Sequence, residues 1–191
     1  MDFEGLEIGD ILICKSFSFL GAGIGLSFRC DSPITWHGEY PERPSSHNGV
    51  VGINARSELV VYEALLSGVV ETPIETYVGA AKQGKCEIKF ARLTDGLNFH
   101  QKNEINRWCI SKLGTKYDFR SYLSHIWRLA LRMPPIWNSN RENNFYCTEY
   151  VQGAYMRIVI DIMRKTLPAP ITVEKRVADK TLMIVAEYWK H

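Results

Sequence analysis

The stretch HNGVVGINARSELVVYEALLSGVVETP, residues 47–73, decides the fold of this chain. It contains three short runs, GVVGIN, LVVYEA and GVVETP, each rich in valine. β-Branched residues favour strands, and the polar segment ARSE (55–58) between the first two runs is typical of a turn. We therefore predict a β-hairpin formed by 49–54 and 59–64, followed by a third strand that stops at Pro73.

Strands are also predicted on both sides of this segment. Residues 9–14, GDILIC, contain a turn and then a short apolar run, and KCEIKFARL (85–93) alternates apolar with polar residues. Residues 15–46 are rich in glycine and proline. A long irregular segment in a compact domain is usually functional or mobile, so we expect this loop insertion to border the functional site.

Three segments place apolar residues at helical spacing. The first ends before Gly114, a C-terminal stop signal, and the second covers about 119–132 and is closed by prolines. The third extends from about 148 to 164. With the strands, these helices predict a single α+β domain over residues 1–191. The residues assigned to the apolar faces of the first and third helices are Ile105, Trp108, Cys109 and Leu113, and Val151, Ala154, Tyr155, Ile158, Val159 and Ile162.

Composition excludes several classes of protein. The chain has 191 residues, of which 46% are apolar and 23% are charged, and this is enough apolar material for a core. Lys and Arg number 23 and Asp and Glu number 21, so a net charge of +2 gives no electrostatic case for a nucleic-acid partner. The N-terminus does not resemble a signal peptide, and no run approaches the ~18 apolar residues of a membrane-spanning helix. We expect a cytoplasmic or virus-delivered protein.

One of the five scattered cysteines has a position that favours reactivity. With no CxxC motif, a disulfide framework and a zinc site are not indicated, and we expect neither a metal nor a cofactor. Cys147 lies at the start of the third predicted helix, where unpaired N–H groups and the helix dipole favour a thiolate. A thiolate is the nucleophile of cysteine hydrolases. The alternative is a buried structural cysteine.

A nucleophilic cysteine also requires a base. Of the five histidines, His47 directly precedes the strand 49–54, and a rigid element there could aim its ring. Across the predicted hairpin, Glu63 falls opposite residue 49 or 50 and is a diagonal neighbour of His47. Its carboxylate could orient the imidazole, as in catalytic triads, or it could point to solvent.

Five motifs occur in order along the chain: GDILIC at 9–14, SHNGVVG around His47, VYEAxxxGV around Glu63, GxxYD around Tyr117 and FYCTEYV around Cys147. Together they resemble the permuted papain-like hydrolases of the NlpC-type superfamily, in the YiiX/YebB-like branch, which is related to lecithin:retinol acyltransferase. The resemblance covers about residues 9–165. An apolar residue commonly follows the histidine in that family, whereas this chain has Asn48.

The resemblance implies a circularly permuted papain-like fold, in which the histidine precedes the cysteine in sequence. A small, barrel-like antiparallel sheet would supply His47 and Glu63, and a helix packed on it would supply Cys147. It also implies the chemistry: Cys147 attacks an acyl carbon to form a thioester, and His47, oriented by Glu63, acts as base and then as acid. Tyr117 is either a substrate or oxyanion contact or a packing residue.

These residues are compatible with more than one class of substrate. A thioester resolved by water indicates an amidase or peptidase, with cell-wall peptides as one substrate, whereas other acceptors or lipid substrates indicate an acyltransferase or phospholipase. Residues 122–137, YLSHIWRLALRMPPIW, interleave arginines with aromatic residues and could contact a membrane, although a core helix with snorkelling arginines is the more ordinary interpretation. A non-catalytic scaffold or binding module is the alternative from a different class.

Overall fold

The computed structural model describes residues 5–16, 45–118, 144–160, 162, 173, 176–177 and 179–188. Most of the expected loop insertion, the expected helix at 119–132 and the segment 122–137 lie outside the described residues. Within the described ranges, no helix is long and apolar enough to cross a membrane.

A six-stranded antiparallel sheet forms the centre of the fold. Its strands are β1 (Ile11–Ser16), β2 (His47–Ile53), β3 (Leu59–Leu65), β4 (Gly68–Pro73), β5 (Cys86–Leu93) and β8 (Leu182–Tyr188). They are arranged in the order β4-β3-β2-β1-β5-β8, so β2 and β1 lie at the centre. The five predicted strands are confirmed, and β1 is longer than expected, so Lys15 and Ser16 belong to the sheet and not to the insertion.

In the described ranges, three helices pack on this sheet: α1 (Ile74–Lys82), α2 (Phe99–Ser111) and α3 (Cys147–Met156). With the sheet, they confirm the predicted α+β class. Helix α2 begins with a capping box, in which the Asn98 side chain accepts from Gln101 N at 2.9 Å and the Gln101 side chain accepts from Asn98 N at 2.9 Å. These two bonds satisfy backbone donors that a helix start otherwise leaves unpaired.

Both faces of the sheet are buried. Val50 and Tyr62 belong to the core shared with α2 and α3, whereas Val51 and Val61 belong to the core shared with α1. A strand that is covered on both faces reads as a continuous apolar run instead of an alternating one. This explains why apolar residues stand next to each other in β2 and β3, as in Val50–Val51 and Val60–Val61.

Two residues assigned to apolar helix faces are exposed, whereas Ile158 and Ile162 pack on the core from beyond the end of α3. Leu113 follows the end of α2 and is 38% exposed, because the chain turns at Gly114 with a φ of +77°. Val159 follows the end of α3 and is 88% exposed. Helix α3 stops at Met156, earlier than expected, because residues 159–160 turn back on the helix with Val159 N and Ile160 N donating to the carbonyls of Met156 and Tyr155.

A short parallel ladder joins two of the quoted motifs. Strand β6 (Lys116–Tyr117) pairs with β7 (Asn144–Phe145), and Asp118 N donates to Phe145 O at 3.1 Å. Because α3 begins two residues after β7, the ladder brings the GxxYD motif next to the start of α3.

Candidate active site

The β2–β3 register brings His47 and Glu63 together. Val50 pairs with Tyr62, so the next residue of β3, Glu63, lies beside Gly49, and His47 is its diagonal neighbour. Glu63 Oε2 is hydrogen-bonded to His47 Nε2. The Glu63 side chain has no exposed surface, whereas that of His47 is 18% exposed, so Glu63 does not point to solvent.

Two further residues hold the Glu63 carboxylate. The Thr72 hydroxyl, from β4, donates to Oε1, and the Tyr77 hydroxyl, from α1, donates to Oε2. Burial raises the pKa of Glu63, but the charge and hydrogen bond of His47 and the two hydroxyls outweigh it and hold that pKa below its usual range. Glu63 is therefore ionised at neutral pH, with donors on both oxygens.

His47 is held in its charged form. Burial lowers the pKa of His47, but the Glu63 carboxylate and the Cys147 sulfur outweigh that effect and raise it to about 10. Because Nε2 is engaged by Glu63, Nδ1 is the ring nitrogen left for Cys147. At neutral pH the ring is thus an imidazolium between a carboxylate and a sulfur.

Cys147 is the first residue of α3 and is 7% exposed. Burial raises the pKa of its thiol, but the hydrogen bond and charge of His47, together with Thr148 and the backbone of Asn48, bring it below the ordinary value. His47 and Cys147 change each other's pKa, so the two groups titrate as a pair and not independently. The arrangement favours a thiolate–imidazolium ion pair, in which the sulfur is ready to attack an electrophile.

A polar bridge connects the two chain segments that carry this pair. Asn48 follows His47 on β2, and Thr148 follows Cys147 on α3. Asn48 Nδ2 donates to Thr148 Oγ1 at 3.4 Å, and that oxygen lies 3.8 Å from Cys147 Sγ. The sequence singles out Asn48 only as an unusual residue after the histidine, and nothing in it points to Thr148.

Tyr117 lies in β6 beside Phe145, near the start of α3. It is partly buried and packs against the core on the α2–α3 face of the sheet. Packing is therefore part of its role, and a contact with substrate or oxyanion stays a prediction.

Three other cysteines are described, and all of them are buried. The hydrogen bond between Cys14 and Cys86 raises the pKa of Cys14, with burial acting in the same direction, and lowers that of Cys86. Burial raises the pKa of Cys109 to about 12. Among the described cysteines, Cys147 alone has an imidazole among the groups that lower its pKa.

The fold has a solved counterpart. No family model matches the chain, and no curated protein matches it. The crystal structure of the metalloprotein YiiX from Escherichia coli O157:H7 is similar, with a TM-score of 0.58 and 19% sequence identity over 96% of this chain and 98% of that one. This likeness shows a YiiX-like α+β fold.

The solved counterpart, YiiX, is called a metalloprotein. Among the residues that our structure describes, no group of three or more His, Cys, Asp or Glu side chains could hold a metal ion. The candidate site consists of a carboxylate, an imidazole and a thiol joined in series.

Proposed function

We propose that this protein is a cysteine hydrolase of the permuted papain-like type, with Cys147 as nucleophile, His47 as general base and acid, and Glu63 as the residue that orients His47. The observation that carries the proposal is the series of contacts from a fully buried carboxylate, through an imidazole, to a thiol at a helix N-terminus. These are the parts of a triad, recognised by geometry and not by sequence position.

The ion pair supplies the first half of the reaction. The Cys147 thiolate attacks the acyl carbon of an amide or ester, and the π-electron pair of the carbonyl moves onto its oxygen. Backbone N–H groups of the first turn of α3 are the donors placed to stabilise that oxyanion. As the intermediate collapses, His47 gives its proton to the leaving nitrogen or oxygen, the bond to carbon breaks, and a thioester and a neutral imidazole remain.

Water completes the cycle. Neutral His47 accepts a proton from a water molecule while the water oxygen attacks the thioester carbon. The carbon–sulfur bond then breaks, which releases the carboxylic acid and restores the thiolate beside an imidazolium. Glu63 stabilises that imidazolium throughout and stays ionised. With an alcohol or amine in place of water, the same steps give an acyltransferase.

An acyl-donating electrophile tests this proposal. The native protein is treated at neutral pH with p-nitrophenyl acetate, and p-nitrophenol release is followed together with mass-spectrometric mapping of the acylated residue. Acylation of Cys147 followed by turnover is expected, with loss of both in Cys147→Ala and retention in Cys109→Ala, a matched change at a buried cysteine of α2. Acylation spread over several cysteines, or unchanged in His47→Ala, would favour the scaffold alternative.

A second assay distinguishes activity on peptide substrates from activity on lipid substrates. Short acyl-peptide amides and phospholipid vesicles are supplied to the same set of variants, and the released amine or fatty acid is measured. We expect Cys147-dependent release from the amides, because a thiolate–imidazolium pair delivers a proton directly to a leaving amine. Release from vesicles alone would assign the protein to lipid substrates.

A further inference from the structure

The proposed base and the proposed nucleophile are each followed in sequence by a fully buried polar residue. These are Asn48 after His47, and Thr148 after Cys147. Burying a polar side chain costs free energy unless it is hydrogen-bonded, and the two side chains bond to each other at 3.4 Å. The bridge therefore joins β2 to α3 directly behind the proposed nucleophile and base.

The chemistry of the bridge determines where the Thr148 hydroxyl proton points. A hydroxyl carries one proton and two lone pairs, whereas the amide nitrogen of an asparagine only donates. Asn48 Nδ2 therefore occupies a lone pair of Thr148 Oγ1, and the hydroxyl proton stays available. The sulfur of Cys147, 3.8 Å from Oγ1, is an acceptor in reach of that proton.

We infer that Thr148 belongs to the nucleophile site, where its hydroxyl donates to the Cys147 sulfur, and that Asn48 is a positioning residue that orients this hydroxyl. The inference rests on the proposed function for its catalytic meaning, but the contact acts on the thiol itself. After burial and the contribution of His47, the Thr148 bond is among the interactions that set the pKa of Cys147. The thiolate is stabilised by such a donor and the thiol is not.

Thiol alkylation tests the inference without any substrate. The rate of Cys147 carboxamidomethylation by iodoacetamide is measured from pH 4 to 10 in the full-length protein, with the labelled residue identified by mass spectrometry. Thr148→Val removes the hydroxyl at nearly constant shape and should move the alkylation midpoint up by about one pH unit, a roughly tenfold loss of thiolate below it. Thr148→Ser should restore the native profile, and Thr115→Val, the same change outside the site, should leave it unaltered.

A double variant shows whether Asn48 acts through Thr148. Asn48→Leu should shift the midpoint in the same direction, and Asn48→Leu/Thr148→Val should shift it no further than Thr148→Val alone, because coupled residues are non-additive. Additive shifts, or a Thr148→Val profile equal to that of the native protein, would overturn the inference. If the variants show these alkylation shifts but the native protein gives no acyl turnover, the proposed function is overturned and the inferred Thr148–Cys147 contact remains valid.

Discussion

Glu63 reaches His47 across the β2–β3 hairpin, and its carboxylate is completely buried where it meets the ring. A buried carboxylate is stable as an anion only if its hydrogen bonds and an opposite charge replace water. The hydroxyls of Thr72 and Tyr77 supply part of that replacement, and the imidazolium supplies the charge. The charge state of the proposed nucleophile therefore depends on a residue that does not touch it.

Glu63→Gln should slow alkylation of Cys147 at neutral pH. The amide keeps the shape of the side chain but removes the negative charge that raises the pKa of His47, so the imidazolium and the thiolate that depends on it are less populated. We expect a decrease of about tenfold or more at pH 7, since one pKa unit corresponds to a factor of ten. The measurement is the iodoacetamide rate at Cys147.

The matched control for this change is Glu71→Gln, on the neighbouring strand β4. Glu71 is exposed, and no hydrogen bond or ion pair from its side chain is found in the described parts of the chain. The same loss of charge there should leave the Cys147 rate unchanged. Equal effects of the two substitutions would mean that the overall charge, and not the pairing with His47, governs the thiol.

Stability should fall as the pH rises above the ordinary pKa of histidine. To remove the titration of the thiol, we consider Cys147→Ala, in which we expect Glu63 to keep the pKa of His47 raised although the contribution of the Cys147 sulfur is lost. Between about 6.5 and the folded value, the folded state binds a proton that the unfolded state has lost. The stabilisation is thus complete below about pH 6.5 and lost above the folded pKa, with a slope of at most about 1.4 kcal/mol per pH unit.

Urea unfolding of Cys147→Ala at a series of pH values measures this slope. The reference is Cys147→Ala/His47→Gln, which lacks the titrating ring and should show a flatter profile in the same interval. Parallel profiles for the two variants above about pH 6.5 would show that folding does not raise the pKa of His47.

Val159 is a site where a glycine should stabilise the fold. Its φ of +61° is in the left-handed region, which is unfavourable for a β-branched residue, and it closes the end of α3 where glycine is the usual residue. Its side chain is almost fully exposed, so little packing is lost on removal. Val159→Gly should raise the free energy of unfolding by about 1 kcal/mol, the cost of left-handed backbone for an L-residue.

Val159→Ala distinguishes the contribution of the backbone conformation to the free energy of unfolding from that of the branched side chain. Alanine removes the branched side chain but keeps a Cβ in the left-handed region, so it should gain less than glycine does. Urea denaturation of the three proteins gives the comparison, and a gain for alanine equal to that for glycine would place the cost in the branched side chain instead.

The hairpin and the pairing of His47 with Glu63 could be predicted because both depend on local information. The position of a short turn sets the register, and the register sets which side chains are diagonal neighbours. Helix α1 also has a signal, since Ile74, Val78 and Ala81 follow helical spacing after Pro73, yet it is missing from the predicted elements. Strand β8 contains the apolar run LMIVAEY but is also missing from the predicted elements, and its partner β5 lies almost a hundred residues earlier in the chain.

The hydroxyl groups that contact Glu63 could not be predicted from the local sequence. Thr72 is one polar residue of a short strand, and Tyr77 is one residue of an unrecognised helix. Only the packing of α1 and β4 around the same carboxylate relates them to His47.

Tyr77→Phe should therefore destabilise the protein and weaken the proposed nucleophile together. Removing the hydroxyl leaves the rest of the ring in place but takes one donor from a buried carboxylate, which costs about 1–3 kcal/mol in the free energy of unfolding. The pKa of Glu63 should rise, and the Cys147 alkylation rate at pH 5 should fall more than that at pH 7. The control is Tyr188→Phe, at a tyrosine that packs on the same core with no hydrogen bond from its hydroxyl in the described ranges. Loss of stability in Tyr77→Phe with an unchanged pH profile of alkylation would limit Tyr77 to a structural role.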